Sequence, residues 1–566
     1  MGHLSLQQLG LRTKVAVTWC AVVAFAGCMG PILRQQSPDA EITEASIQES
    51  QLVGSVAHPH GMGYMKVEAI GLVTGLNNTG GDPPLSGQRA GLLAEMNRME
   101  VEDPNAVLAS PQTAMVMIRG LLHPGIQEGD KFDLEVATMA RSETTSLRGG
   151  WLMETQLTET AVLGGQVRKG HLMGLGEGAI LVDPSSNDEG SEGHTTRGRI
   201  LGGGVAKKSR GLGLIIDHQH QSIRLSQSLG KAINQRFHSY DGGRREGVAA
   251  PKTDEFVEIQ LHPRYKDNVS RYMRVVRSIP IRETPSQRQR RIGQLGDQLL
   301  DPVTTTTAAL RLEALGDDAA IEKLKSGLAS DDAEVRFRSA EALAYLDVTE
   351  AVETLVDVAR DEVAFRAEAF LALSAMDDPV AYEHLTTLLG VKSSETRYGA
   401  FRSLWHMAPS DPMIRDESIS EKFAYHVLDV SGPTMVHVTR SHRPEVVLFG
   451  RNHALQTPLV LDAGPRILVK GLSGNEVVVS RFGVNEPTQQ RTVTADVDSV
   501  IRAVVDLGGD YPDVVQLLQE AKETGVLTGR FKVNALPEGG REHSRESEIQ
   551  ETTASNSEST QKPTNS

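Results

Sequence analysis

At 566 residues the chain is long enough for three or four domains, so burying a core is no obstacle. A formal net charge of -15 argues against a protein that grips nucleic acid or anionic lipid over a broad face, and 4% aromatic residues with 54 glycines suit glycine-punctuated sheets better than a large aromatic-lined pocket. Both cysteines, Cys20 and Cys28, fall in the first thirty residues, which leaves the body of the chain without a disulfide or a thiolate metal site.

Residues 1–28 read as an export signal: Arg12 and Lys14 precede the apolar run Val15 to Ala26, which is too short to span a bilayer comfortably. Ala26-Gly27-Cys28 resembles the lipobox of bacterial lipoproteins, which makes Cys28 the expected lipidation site, although Phe25 stands where leucine is usual. The alternative is an ordinary signal cleaved after a small residue. A polar linker, 29–65, follows. Residues 66–290 then alternate strands with a few helices in an α+β pattern. Strands are expected at Lys66 onward, Thr113–Leu122 and Lys131–Met139, with an amphipathic helix in "QRAGLLAEMNRMEV". The stretch "TTSLRGGWLMETQL" lies between strand-like segments, and "GAILVD" is again strand-like. Beyond a polar loop, "GLGLIIDHQHQSIRLSQSLGKAINQRF" predicts a strand leading into a helix, "TDEFVEIQLHP" a strand, and "NVSRYMRVVRSIPI" a helix and a strand.

Residues 301–408 change character. Val335-Arg336, Phe365-Arg366 and Thr396-Arg397 recur thirty and thirty-one residues apart, with apolar pairs such as Ala342-Leu343 and Ala372-Leu373 at a constant offset. Each unit predicts two short amphipathic helices whose stacking buries a continuous seam, and the pattern resembles HEAT-type repeats. A solenoid surface of this kind implies a protein partner, which the sequence leaves unknown. Residues 420–485 return to strands with hairpin-like connections. Residues 495–535 predict helix, turn, helix and strand, with Asp510 or Asp513 capping the second helix and Gly525 stopping it. The segment 536–566 has almost no apolar residue and is expected to be disordered.

A search for chemistry gives no catalytic, cofactor or metal site. His58 and His60 lie two apart in "AHPHGMG", read as a loop, and His218 and His220 two apart in "DHQHQ", read as a strand on which both would share a face. No third ligand pattern accompanies either pair, so the reading of a metal-dependent hydrolase is weak. "GLGEGAI", Gly174 to Ile180, lacks the strand–loop–helix setting of a phosphate loop and reads as a tight turn. In the run Ser146, Leu147, Arg148, Gly149, Gly150, the guanidinium can bind a carboxylate or carbonyls and the glycines permit close backbone approach. With no nucleophile, acid or metal beside it, the run reads as a packed joint of a structural protein.

"SLRGGWLMETQL" resembles the "SLRGG-x-L-L-x-T-x-L" signature of the bacterial flagellar P-ring family. In the same order, "VEAIGLVTGLNNTGG", "TAMVMIRGLLHPGIQEGDKFDLEVATM", "RGRILGGGVAKK" and "IRLSQSLGKAINQRF" are similar to successive segments of that family, and "VIRAVVDLGGDYPDVVQLLQEAKETGVLTGRFKV" resembles its closing segment. The expected fold is therefore α+β and multidomain: strand-rich P-ring-like domains carrying an inserted α-helical HEAT-like solenoid. The resemblance implies a non-enzymatic subunit that self-associates into a ring around the flagellar rod. It further implies a periplasmic position at the peptidoglycan, beside the L-ring protein, with no cofactor and no nucleic acid. The helical repeats and the lipobox depart from the family pattern, and they support an alternative: an outer-membrane-anchored lipoprotein scaffold that binds protein through its repeats.

Overall fold

The structure, a computed structural model, describes residues 50–541 and His543 except 164–165, 183–194, 242–243 and 484–486. The expected signal, Cys28, most of the linker and nearly all of the tail lie outside the described residues. Among the described residues no helix is long and apolar enough to cross a membrane.

Strict alternation builds the first unit. In β4 (Lys131–Thr138), Phe132, Leu134 and Val136 point inward while their neighbours face out, the period-2 pattern of a strand with one buried face. It joins β2 (Met65–Thr74), β3 (Ala114–Leu122), β5 (Trp151–Leu163), β6 (Gln166–Ala179) and β7 (Arg197–Ala206) in a closed antiparallel barrel of order β2-β3-β4-β7-β6-β5. A six-stranded barrel is narrow, and glycines make the room for its filling. A Cβ on Gly120 or on Gly204 would lie 2.5 Å from the Phe132 ring. Gly176 does the same for Leu134, where a Cβ would lie 2.7 Å from Cδ1. That explains a correction: "GLGEGAI" is no tight turn, because Gly174 to Ala179 belong to β6, and its glycines serve close packing. Helices α1 (Gly87–Arg98) and α2 (Pro104–Leu108) connect β2 to β3 and bury Leu92, Met96 and Leu108 against Met115.

A second sheet of order β1-β8-β12-β11 lies beside the barrel: β1 (Ala57–His60), β8 (Leu212–Ile216), β11 (Ala249–Pro251) and β12 (Phe256–Ile259). A small hairpin, β9 (His238–Asp241) with β10 (Arg244–Gly247), follows α3 (Ile223–Arg236), and α4 (Val269–Arg277) completes the unit. The linker expected to run to residue 65 thus ends earlier, since Val53 and Val56 are fully buried and Ala57 begins β1. The strand expected after α4 is reduced to an isolated bridge between Leu52 and Pro280.

The helical repeats run through α5 (Pro285–Leu299), α6 (Thr305–Leu315), α7 (Asp318–Gly327), α8 (Ala333–Tyr345), α9 (Ala351–Asp361), α10 (Arg366–Ser374), α11 (Pro379–Leu388) and α12 (Ser394–Met407). The run of helices opens with α5, ahead of residue 301, and α5 is started by a capping box, Thr284 with Gln287. The periodic arginines have a structural task. Arg336 donates to the carbonyls of Ser330 and Asp331, Arg366 to those of Ala359 and Arg360, and Arg397 to that of Leu389. Each thereby satisfies carbonyls at or just beyond the C-terminal end of the preceding helix. One apolar core runs unbroken from Val53 through the repeats to Phe449, so the solenoid is packed into the molecule and is no loose appendage.

The last unit joins two segments expected to be separate. β13 (Ala424–Leu428), β14 (Met435–Val438) and β15 (Glu445–Phe449) form a mixed sheet, β13-β15-β14-β20, with the late strand β20 (Arg530–Val533) parallel to β14. A meander of β16 (Leu459–Ala463), β17 (Ile467–Gly471), β18 (Glu476–Arg481) and β19 (Gln489–Thr494) packs on α13 (Val497–Asp506) and α14 (Tyr511–Glu523). Asp510 caps α14 with Asp513 in a reciprocal box, and Gly525 at φ +76 follows its end.

Candidate functional site

Between β4 and β5 the chain crosses the end of the barrel, and local hydrogen bonds hold it there. Thr145 N donates to Thr79 O at 2.8 Å, Thr79 Oγ1 to Ser146 O at 2.8 Å, and Leu147 N to Thr195 O at 2.9 Å. Ser146 Oγ accepts from the backbone N of Arg148 at 3.1 Å. Leu147 is fully buried among the barrel's core residues and closes that end. A turn from Leu147 to Gly150 follows, with Gly150 N donating to Leu147 O at 3.1 Å. Gly149, its third residue, has φ +72, the left-handed value that favours glycine at this position. Gly150 has no room for a side chain: a Cβ would lie 2.6 Å from Val73 Cγ1 and 2.9 Å from Leu76 Cδ2.

The outer side of this turn meets the last unit. A Cβ on Gly149 would lie 2.9 Å from Cγ of Pro465, in the hairpin between β16 and β17. Beside it, Lys422 Nζ sits 5.1 Å from the centroid of the Trp151 ring and 2.6 Å from Asp510 Oδ1. A small cleft of about 160 Å³ lies between Gly149, Trp151, Pro465, Arg466 and Asp513. A second clamp ties the same two units: Asp133 of β4 accepts from Gly202 N at 2.8 Å and from His442 N at 2.6 Å. Leu181 and Leu201 of the barrel side are buried in the apolar core of the last unit.

The five residues Ser146 to Gly150 are thus brought together at an interdomain joint. The motif by itself points neither to Pro465, which meets Gly149, nor to Asp513 in the cleft beside it, nor to Asp133, which clamps the same two units elsewhere. Asp133 looks like any outward-facing acid of an alternating strand, and no local signal marks it. Replacing Gly150 by Val should lower stability by about 1–3 kcal/mol through overpacking, read as a shift in the denaturation midpoint; an unshifted midpoint would mean the barrel end yields freely.

Burial pushes the Asp513 carboxyl up to about 6, with the backbone amide of Asp510 and the cations Lys422 and Arg466 opposing. The folded state therefore keeps this proton over a window where the unfolded chain has lost it. Its contribution is present below the ordinary carboxylate range and is lost as pH rises through 6. Asp513→Asn retains an oxygen for the Asp510 amide and has no charge to bury. It should stabilise the protein by on the order of 2–3 kcal/mol at pH 8 and much less at pH 4. A gain independent of pH in paired denaturation curves would contradict this origin.

The histidine pairs are placed otherwise than expected. His58 and His60 lie on β1, where His58 Nδ1 is 3.0 Å from Asp217 Oδ1 and His60 meets the edge of Phe256. His218 and His220 lie in the turn after β8 and not on a strand, because β8 ends at Ile216 and His220 N donates to Asp217 O. Among the described residues no group of three or more His, Cys, Asp or Glu side chains is arranged to hold a metal ion.

Comparison with known proteins bears on the units so described. Residues 53–292 match the family model of the flagellar P-ring protein, and residues 321–405 match that of HEAT repeats. The chain is 28% identical over 237 residues to the flagellar P-ring protein of Caulobacter vibrioides, covering 40% of this chain and 58% of that protein. Against the flagellar P-ring protein of Chromohalobacter salexigens it is also 28% identical over 237 residues, covering 39% and 57%. Flagellar P-ring protein 2 of Bradyrhizobium diazoefficiens is 24% identical over 246 residues, covering 40% and 62%. The chain thus spans less than two thirds of the length of these relatives. The residues matched by the family model take in the barrel and the motif Ser146–Gly150, and the resemblance expected at 497–533 falls outside them.

Proposed function

We propose, from the flagellar P-ring match over residues 53–292, that this chain is a structural subunit of the flagellar basal-body P ring. Copies associate side by side around the rod in the periplasm, at the peptidoglycan layer and beside the L-ring protein. Closing such a ring requires heterologous contacts, one face of each copy meeting a different face of the next. The observation that carries the reading is the joint itself. The family-like run Ser146–Gly150 is spent on locking a filled barrel to the last unit, as a rigid building block requires, and its Leu147 is fully buried. Exposed Leu121 and Met153, at 60% and 47% exposure on the barrel wall, are candidate ring contacts.

A second reading draws on the HEAT-repeat match: a lipoprotein of P-ring-like fold, anchored through Cys28, that uses its repeats as a scaffold. Electron cryotomography of flagellar motors with and without this gene separates the two. Ring density at the peptidoglycan layer that disappears with the gene supports the ring subunit. Unchanged motors, or a host that builds none, overturn it in favour of the scaffold.

A further inference from the structure

The tail does not leave the molecule where its composition suggests. Beyond β20 the chain turns at Asn534, whose side chain accepts from Arg440 N at 3.0 Å and from Ser441 Oγ at 3.1 Å. It then runs across the last repeats. Ala535 N donates to Nε2 of His437 at 3.0 Å. His437 is fully buried and stacked on Tyr398 at 3.6 Å, and burial holds it neutral down to about 3, so it stays an acceptor. Leu536 packs against the repeat core. Pro537 lies over α12 at Gly399: a Cβ on that glycine would lie 3.1 Å from Pro537 Cγ and 2.5 Å from the Phe370 ring. A side chain on Gly399 would fill the path of the tail.

Farther along, Gly540 N reaches Glu368 Oε1 of α10 at 3.5 Å. Arg541 then closes on Glu395 with two parallel bonds of 2.9 Å each, and Arg366 holds the same carboxylate at 3.2 Å. The His543 ring stands 4.9 Å from that of Phe365. A cleft of about 550 Å³, lined by Phe370, Leu371, Trp405 and Leu536, stays open beside the segment. The buried Glu368 Oε2 has no donor. The geometry is that of an extended peptide laid in a groove: an apolar anchor, a proline over a glycine floor, two glycines where backbone crosses α10, and a bidentate arginine at the far end.

We propose that the face built by α10 and α12 is a peptide-recognition groove for an extended segment of the form apolar–Pro–x–Gly–Gly–Arg, and that the chain's own residues 535–541 occupy it as an internal ligand. The inference deepens the reading of the repeats as a protein-binding element, by naming the chemistry they accept. An outside protein reaches this groove only by carrying such an arginine-ended segment and displacing the tail.

The test uses the full chain. A fluorescent peptide of residues 535–543 is titrated into wild-type protein and into Arg541→Ala protein, whose internal ligand has lost its anchor. The peptide should bind the Arg541→Ala chain at least about tenfold more tightly than wild type, and the same peptide with Arg541 replaced by Ala should bind neither. In parallel, trypsin cleavage after Arg541, followed by mass spectrometry, should be slow in wild type and at least about tenfold faster in folded Glu395→Gln protein. Equal peptide binding by both chains, binding that ignores the peptide's arginine, or cleavage as fast in wild type as in the free peptide would each overturn the proposal. These readouts do not involve flagella, so their failure leaves the ring reading standing, and motors unchanged without the gene leave the groove standing.

Discussion

Arg271→Met should lower the stability of the protein by about 3–5 kcal/mol, the largest loss expected from any single exchange outside the barrel. Arg271 lies on α4 with 6% of its side chain exposed, and it reaches into the helical repeats. There it binds Glu313 of α6 at 2.5 Å and Glu341 of α8 at 2.6 Å. Its guanidinium also lies 4.7 Å from the centroid of the Tyr345 ring, while Tyr265 donates to Glu313 at 2.7 Å. Methionine matches the apolar stem and removes the charge, which leaves Glu313 buried without its cation and Glu341 with Arg338 alone, at 3.1 Å. Replacing all three groups by apolar residues of similar size should recover much of the loss, because no uncompensated charge then stays buried. Chemical denaturation followed by circular dichroism measures both variants. A single exchange that shifts the midpoint no more than the triple one would show that the network has little part in fixing the repeats to the first unit.

The second large effect is expected in the barrel. Phe132→Ala should cost about 3–5 kcal/mol, since the ring fills a lumen that the surrounding glycines cannot fill. Phe132 is 5% exposed, and Gly120, Gly174 and Gly204 all face its ring. The slot tolerates a change of size in neither direction: enlarging a glycine pushes a Cβ to 2.5 Å from the ring, while shrinking the ring leaves a cavity. Combining Phe132→Ala with Gly204→Val should recover part of the loss. Destabilisation that merely adds across the pair would mean that the two sites are not coupled through one cavity.

These two sites also mark how far the chain can be read by eye. Phe132 announces itself, because "KFDLEV" alternates and a strand with one buried face must place Phe132, Leu134 and Val136 together. The repeats are legible for a similar reason. Their arginines recur at thirty and thirty-one residues, and each reaches carbonyls in the last turn of the helix before it or in the loop that follows. Arg271 is opaque. In "NVSRYMRVVRSIPI" it looks like a solvated charge on an amphipathic helix, and only the packing of α4 on α6 and α8 turns it inward. The glycine-rich "GLGEGAI" misled for the opposite reason, because glycine marks both turns and close packing, and composition does not tell them apart.

The same division holds for the candidate site. The run Ser146–Gly150 stands out by its residue chemistry, an arginine beside two glycines between strand-like segments, and a joint is what that chemistry leads one to expect. What the joint meets does not follow. Pro465, Asp513 and the Asp133–His442 clamp lie far along the chain, and the tail expected to be free beyond residue 535 is held by His437 and Glu395.

The sequence by itself determined the alternation of strands and the helix caps, because each depends on neighbours within a turn or two, and the period of the repeats, because each unit repeats the same local pattern. Only the tertiary structure decided that β20 returns to β14, that the solenoid shares one core with the first unit, and where the tail lies. Those choices rest on contacts between distant segments, where many pairings satisfy the local pattern and the burial of a common apolar surface selects one.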